Sequence, residues 1–246
     1  KEIAENVARA FKLTLSDSET RAIEHQPTNN IEAYEYYLRG RRHFFQLSES
    51  GWAISREEFS RAIELDPDYA LAFAGLADCF SFLYMYADSS TSNRLQAETN
   101  SRLALQLGPE LASVHASRGL ALSLGKRHEE AEKAFARAAE LDPKLFDAYY
   151  FHARHAFAQG KFEKAAELFE TASELRPDDY QAPLLSAQSY DDLGRKKEGD
   201  AIRRKAVRLA EEHLEFDPGD VRAVYFAANA MVVLGDQRRG LEWAER

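Results

Sequence analysis

Ala131-Glu132-Lys133-Ala134-Phe135-Ala136-Arg137-Ala138-Ala139-Glu140-Leu141-Asp142-Pro143 decides the fold, because its frame comes back 34 residues later as Ala165-Ala166-Glu167-Leu168-Phe169-Glu170-Thr171-Ala172-Ser173-Glu174-Leu175-Arg176-Pro177. What returns is Ala-x3-Phe-x2-Ala-x4-Pro. Spacings of three and four put the small residues and the aromatic on one face of a helix. The alanines let a neighbouring helix approach, the phenylalanine fills the gap between neighbours, and the proline cannot continue the helix and so ends it. Looser copies run Ser55, Phe59, Ala62, Pro67, then Ala97, Ser101, Ala104, Pro109, then Ala206, Ala210, His213, Pro218. The five prolines are 42, 34, 34 and 41 residues apart, and 34 is the length of a helix-turn-helix solenoid repeat.

Ahead of each copy lies a second helical stretch. It carries a residue followed by a small one, with a third residue three further on: Leu76-Ala77 with Phe80, Arg118-Gly119 with Leu122, His152-Ala153 with Ala156, Ser186-Ala187 with Tyr190, Ala227-Ala228 with Met231. Arg118 and Ser186 fit a large apolar slot poorly. The two-helix frame as a whole resembles the tetratricopeptide repeat (TPR). That resemblance implies an all-α fold, a right-handed α-solenoid of antiparallel helix pairs. Residues 31–246 then read as five full repeats plus a truncated sixth, and residues 1–30 as N-terminal capping helices. In that leader Ile3, Val7, Ala10, Phe11 and Leu15 share a face, and Ser16-x-x-Glu19 fits a capping box. Residues 32–41 also resemble the start of TPR arrays at the C-terminal end of bacterial regulatory proteins, where the array follows an adenylate/guanylate cyclase, kinase or winged-helix transcription-regulator domain.

Departures from the 34-residue interval have expected places. Three extra residues enlarge the turn near Ser48 to Gly51, eight form a long Ser/Thr/Asn-rich loop around residues 84–93, and seven lengthen the helix over residues 196–216. Gly125, Gly160, Gly194 and Gly235 are expected as left-handed residues between paired helices.

Composition narrows the function. With 32 Lys and Arg against 41 Asp and Glu, the net charge is −9, which argues against nucleic acid and against an anionic membrane surface as main partners. No run reaches the roughly 18 apolar residues of a membrane span. Cys79 is alone, so no intramolecular disulfide forms, and a reducing, cytoplasmic compartment is the expectation. The chain opens without Met and stops inside a helical stretch, so both ends read as cut from a longer protein.

No phosphate-cradling loop, nucleophile elbow or metalloprotease motif is present. His152 and His155 lie three apart but lack a third ligand at metal spacing. Arg203-Arg204-Lys205 with Arg208 is balanced by Glu211, Glu212 and Glu215, as on a solvated helix face. The chain therefore reads as non-catalytic, with no metal and no cofactor. The TPR resemblance instead implies a concave groove lined by the first helix of each repeat, open to a protein or peptide. Its lining would include Asp78, Leu120, Asp147, Tyr150, Arg154, Phe157, Gln188, Tyr225 and Asn229, the last stripe running Arg222, Tyr225, Asn229, Val232. The Lys/Asn set that clamps chaperone C-termini in that family is missing. The alternative is a homodimeric scaffold for an attached effector domain such as a nucleotide cyclase, through the run of Phe82, Leu83, Tyr84, Met85 and Tyr86, of which Phe82, Tyr84 and Tyr86 are the candidate contacts. Five consecutive apolar residues exceed what one helix face buries.

Overall fold

A computed structural model describes residues 28–46 and 48–245. The capping helices expected within residues 1–30 lie outside the described residues, save for the last three positions of that range. Among the described residues there are twelve helices and no strand, and they pair in order. The first pair is α1 (Ile31–Phe44) with α2 (Glu49–Leu65), the second α3 (Ala70–Tyr86) with α4 (Thr91–Leu107), the third α5 (Ala112–Leu124) with α6 (His128–Leu141). The fourth is α7 (Phe146–Ala158) with α8 (Phe162–Leu175), the fifth α9 (Gln181–Asp192) with α10 (Lys196–Phe216), the sixth α11 (Val221–Val233) with α12 (Gln237–Ala244). Each pair stacks on the next, giving the all-α solenoid of helix pairs that the recurring frame predicts.

The recurring residues act as their chemistry requires. Asp66 and Asp142, each ahead of a proline, sit at φ −142° with ψ 94° and 96°, because the proline ring drives the preceding residue out of the helical region. The aromatics Phe59, Phe135 and Phe169 are buried at the pair interfaces. Phe59 packs so tightly on Gly40 and Gly75 that a methyl group at either glycine would come within 2.6 or 2.5 Å of its ring, and Phe135 presses on Gly119 at 2.6 Å in the same way. Arg118, the misfit of its slot, is accommodated by Glu98, 2.9 Å from one guanidinium nitrogen, and by the Ser101 hydroxyl at 3.1 Å.

Two of the three insertions fall elsewhere than expected. The eight residues of the second repeat form no long loop. They extend α3 and α4 to 17 residues each, against 13 and 14 in the regular third and fourth pairs. Ser90 caps α4 by accepting from the Asn93 amide. The Ser/Thr/Asn stretch is thus a helix start, since these side chains serve caps as readily as loops. Likewise the three extra residues of the first repeat lengthen α2, with Ser48 as its N-cap accepting from the Gly51 amide. Only the third insertion lies where expected, in the 21-residue α10. Among the turn glycines, Gly160, Gly194 and Gly235 are left-handed, but Gly125 is at φ −76° and Lys126 takes the left-handed position at φ 58°. Gly125 stands 35 residues before Gly160, one off register, and Lys126 stands 34 before it.

What positions the inner face is the stacking of the first helices. α3, α5 and α7 pack directly on one another. Beyond α7 that layer opens: α9 rests mainly on α8, and makes little contact with α7. The superhelix also curls enough for α1 to reach α7, where Arg41 donates to the Asp147 carboxylate across 106 residues of sequence at 2.6 Å.

Candidate binding cavity

The inner face has two halves. At the α1 end it is filled. Arg41 lies 2.6 Å from Asp147 and 3.9 Å from Asp78. Burial alone would disfavour the guanidinium charge, but Asp147, Tyr37 and Asp78 outweigh it and hold Arg41 firmly protonated. Burial holds the Asp78 carboxyl well above the usual carboxylate range in spite of Arg41. Around this cluster the rings of Phe44 and Phe82 meet edge to face at 5.0 Å, Phe82 meets Phe151 at 6.0 Å, and Arg176 stands over Phe146 at 3.9 Å and Phe45 at 4.7 Å.

That filling corrects part of the expected groove. Asp78 and Asp147 are buried and committed to Arg41, so neither faces a partner. Tyr150 is buried as well. Its ring stacks on Phe146 at 5.1 Å and meets Phe169 edge-on, and its hydroxyl accepts from Arg154 at 3.1 Å. It is a core residue, and replacing it would loosen the fold. The same holds for the aromatic run. Phe82 is fully buried against Phe44, Trp52 and Phe151, which removes it as a dimer contact, and Tyr84 is half-buried. Tyr86 is 45% exposed. Phe82 and Leu83 are buried and Tyr84 and Met85 half-buried because α3 is enclosed by α2, α4, α5 and α1.

Where the first helices part, a cavity of about 390 Å³ opens between α3, α5, α7, α9 and α11. Leu120, Arg154, Phe157, Gln188 and Tyr225, all expected groove residues, line it together with Met85, Tyr86, Arg222 and Phe226. Leu120 is its buried floor, while Tyr225 stands 62% exposed at the rim. Asn229, one turn further along α11, is exposed but outside the lining. The rim rings are held by one another: Tyr225 meets Phe226 edge-on at 5.8 Å, and Tyr86 stacks on the buried Trp52 at 5.8 Å. Two arginines share Tyr86, with Arg154 5.2 Å and Arg222 5.3 Å from its centroid. Arg222 also donates to the Gln181 side chain at 3.1 Å. Burial first, and then the Arg222 charge, pushes the Arg154 guanidinium down to about 9.

Sequence reasoning missed Tyr86 as a cavity residue, and with it Arg41, whose partners lie in another repeat. The signal for Tyr86 was its place one turn beyond Phe82 on a helix longer than the family's. None existed for Arg41, because the pitch of the superhelix sets which distant repeats meet.

The remaining candidates are structural. His155 is buried beside the cavity, its Nδ1 2.7 Å from the Ser123 hydroxyl and its Nε2 2.6 Å from the Gln159 amide. Burial pushes it down to about 4. Glu132 lies 2.7 Å from His152 and 2.6 Å from Lys164. Although burial opposes it, those two bonds bring Glu132 down to about 2. No group of three His, Cys, Asp or Glu arranged to hold a metal occurs among the described residues. Arg203 is buried between Asp191 and Asp200, so part of the basic turn holds α10 to α9. No described helix is long and apolar enough to cross a membrane.

Comparison with known proteins agrees with this architecture. A profile of the family described as anaphase-promoting complex, cyclosome, subunit 3 matches residues 125–202. A protein named putative adenylate cyclase 3, from Rhizobium meliloti (strain 1021), is 27% identical over 135 residues, 54% of this chain. The matched part is 23% of that protein's length. Among solved structures, a thermophilic TPR protein of Thermus thermophilus, TTC0263, is similar with TM-score 0.59 at 16% identity, over 81% of this chain and 99% of its own. A human IFIT1 dimer with m7Gppp-AAAA is similar with TM-score 0.62 at 17% identity, over 98% of this chain and 53% of its own. At such identities these two likenesses are likenesses of fold.

Proposed function

We propose, from the premise that this chain is a tetratricopeptide repeat array, that it is a non-catalytic interaction module which captures a peptide or protein segment in the cavity between α7, α9 and α11. One observation carries this reading: on an inner face otherwise packed shut, the lining left open combines rim aromatics with polar groups at helix-surface positions. Exposed tyrosines and half-buried phenylalanines beside an arginine and a glutamine are the composition of an interface anchor. Pre-formed walls also spare the entropy of ordering the site on binding.

The setting we propose is a bacterial signalling protein acting in the cytoplasm, with the array passing occupancy to an attached effector domain. The stretch shared with the putative adenylate cyclase supports this, and so does the resemblance of residues 32–41. A peptide fits better than the RNA named with the human neighbour. The net charge is −9, and among the described residues the cavity carries two arginines and no lysine, too little to displace counterions along a nucleic acid backbone.

The test is selection from a random peptide library displayed on phage, followed by anisotropy titration of the enriched peptide. Phe157→Ala and Tyr225→Ala should each weaken it about tenfold or more, with the melting curve nearly unchanged for the exposed Tyr225 and lowered for Phe157, which also packs on Phe162. No enriched sequence, or titrations blind to both substitutions, would remove the reading. Self-association retains only Tyr86 of its three proposed contacts in an exposed position. A mass by light scattering that stays monomeric over a hundredfold concentration range would leave it without support.

A further inference from the structure

The cavity is cationic inside an acidic chain. None of its lining residues among those described is an aspartate or a glutamate, yet Arg154 and Arg222 both lie within 5.3 Å of the Tyr86 ring centroid. Three other inward-facing arginines are covered by carboxylates: Arg41 has Asp147, Arg118 has Glu98, and Arg203 has Asp191 and Asp200. Arg154 departs from that habit. Among the described residues its contacts are the Tyr150 hydroxyl at 3.1 Å and the faces of Phe82, Tyr86 and Tyr150 at 5.6, 5.2 and 5.5 Å, and its Nε is buried with no hydrogen-bond partner. A buried donor left unmade is costly, and like charge beside it adds to the cost. Whatever brings a negative charge here is rewarded twice.

We infer that the cavity reads an acidic residue: an aspartate or glutamate within an apolar stretch of the captured peptide, its carboxylate received by Arg154 and Arg222 and its apolar neighbours by Phe157, Tyr225 and Phe226. This rests on the interaction reading above. A carboxylate matches a guanidinium in shape and can accept two parallel hydrogen bonds from it. The walls are apolar rings, so the anion must come attached to an apolar body. A phosphate fits less well, because phosphate sites draw on the free amides of a helix start. The nearest such amides, Arg222 and Ala223 at the start of α11, are already bonded to the Asp220 carboxylate at 3.0 Å each.

The experiment has two arms on the same protein. In the first, the library selection is repeated on Arg154→Gln and Arg154→Lys, with circular dichroism melts to confirm that both fold. The wild type should enrich Asp or Glu flanked by aromatic or aliphatic residues. Arg154→Gln should lose that preference and bind the enriched peptide about tenfold or more weakly, and Arg154→Lys should recover part of it. In the second, phenylacetate, phenylphosphate and neutral benzyl alcohol are titrated by NMR, which needs no peptide. Phenylacetate should bind, Arg154→Gln should abolish its binding, and benzyl alcohol should bind more weakly. A neutral consensus that survives Arg154→Gln overturns the acidic reading and leaves peptide capture standing. Phenylacetate binding with no enriched peptide supports the anion site and overturns peptide capture. Preference for phenylphosphate over phenylacetate overturns the carboxylate assignment, and silence in both arms overturns both readings.

Discussion

The α1 end and the α11 end of the inner face are built from equivalent positions of the same repeat, yet one is packed shut and the other is open. At the closed end Asp78 and Asp147 occupy groove positions and are consumed by Arg41, with Phe44, Phe82 and Phe151 filling the space between. At the open end Arg154 and Gln188, at the position of Asp78, and Arg222, at the position of Asp147, stand around about 390 Å³ of space. The difference lies one level above the repeat. α1 curls back onto α7, whereas α9 leaves α7 and rests on α8. A residue's slot in a repeat says which way it faces, and the stacking of whole repeats decides whether it meets a partner or its own chain.

The sharpest way to break this contrast is Arg41→Leu. It strands two buried carboxylates, and removing one member of a buried charge cluster costs about 3–5 kcal/mol. Urea denaturation should show a loss of that order at pH 7, shrinking as pH falls and the high-lying Asp78 carboxyl takes up a proton. A loss no larger than that of a surface substitution would mean that the closed end is not held by this cluster.

Acid should strike next, beneath the open end. His155 is held at about 4 in the fold against 6.5 for the free side chain. Between those values the unfolded chain binds a proton that the folded chain refuses, so stability is full above pH 6.5 and falls as pH drops from 6.5 to 4, by about 3 kcal/mol at most. Glu132, held at about 2 against 4.5, extends the loss: its contribution is present above pH 4.5 and disappears as pH falls toward 2. Melting temperatures over pH 7 to 4 should decline in the wild type and flatten in His155→Gln. A profile flat in both would show that the histidine is not kept neutral by its surroundings.

In the packed layer, Gly119→Ala should cost about 1–3 kcal/mol, because its methyl would stand 2.6 Å from the Phe135 ring. At the rim, Tyr225→Ala should change stability by less than about 0.5 kcal/mol while it weakens the peptide. Equal stability effects from these two substitutions would erase the distinction between closed and open surface. Between α5 and α6, in neither half, Lys126→Gly should stabilise by about 1 kcal/mol, since a left-handed residue with a side chain is strained. A melting temperature that falls instead would put Lys126 to some use beyond the turn.

Much of this was legible in the sequence, because Pro67, Pro143 and Phe135 answer to local rules. A proline ends a helix, and an aromatic among alanines makes a helix face. The insertions were harder to place: Ser48 and Ser90 carry the residue type of both a loop and a cap, and only the backbone decides between them. Lys126 was readable from the 34-residue register, which a glycine one position away concealed. At the site, Arg154, Phe157, Gln188 and Tyr225 followed from the repeat and do line the cavity. Asp78, Asp147, Tyr150 and Phe82 did not: Arg41 and Phe44 cover Asp78 and Phe82 from the neighbouring repeat, Arg41 reaches Asp147 from a distant one, and Phe146 and Phe169 enclose Tyr150 within its own pair, and no periodicity records those meetings.

The most direct measurement is hydrogen–deuterium exchange of the full chain with and without the peptide it enriches from the library. Slowed exchange confined to Phe146–Ala158, Gln181–Asp192 and Val221–Val233, with Ile31–Phe44 unchanged, is the predicted result. Protection centred on Ile31–Phe44 or on the outer helices, with those three first helices unaffected, would contradict the assignment of the open half as the binding surface.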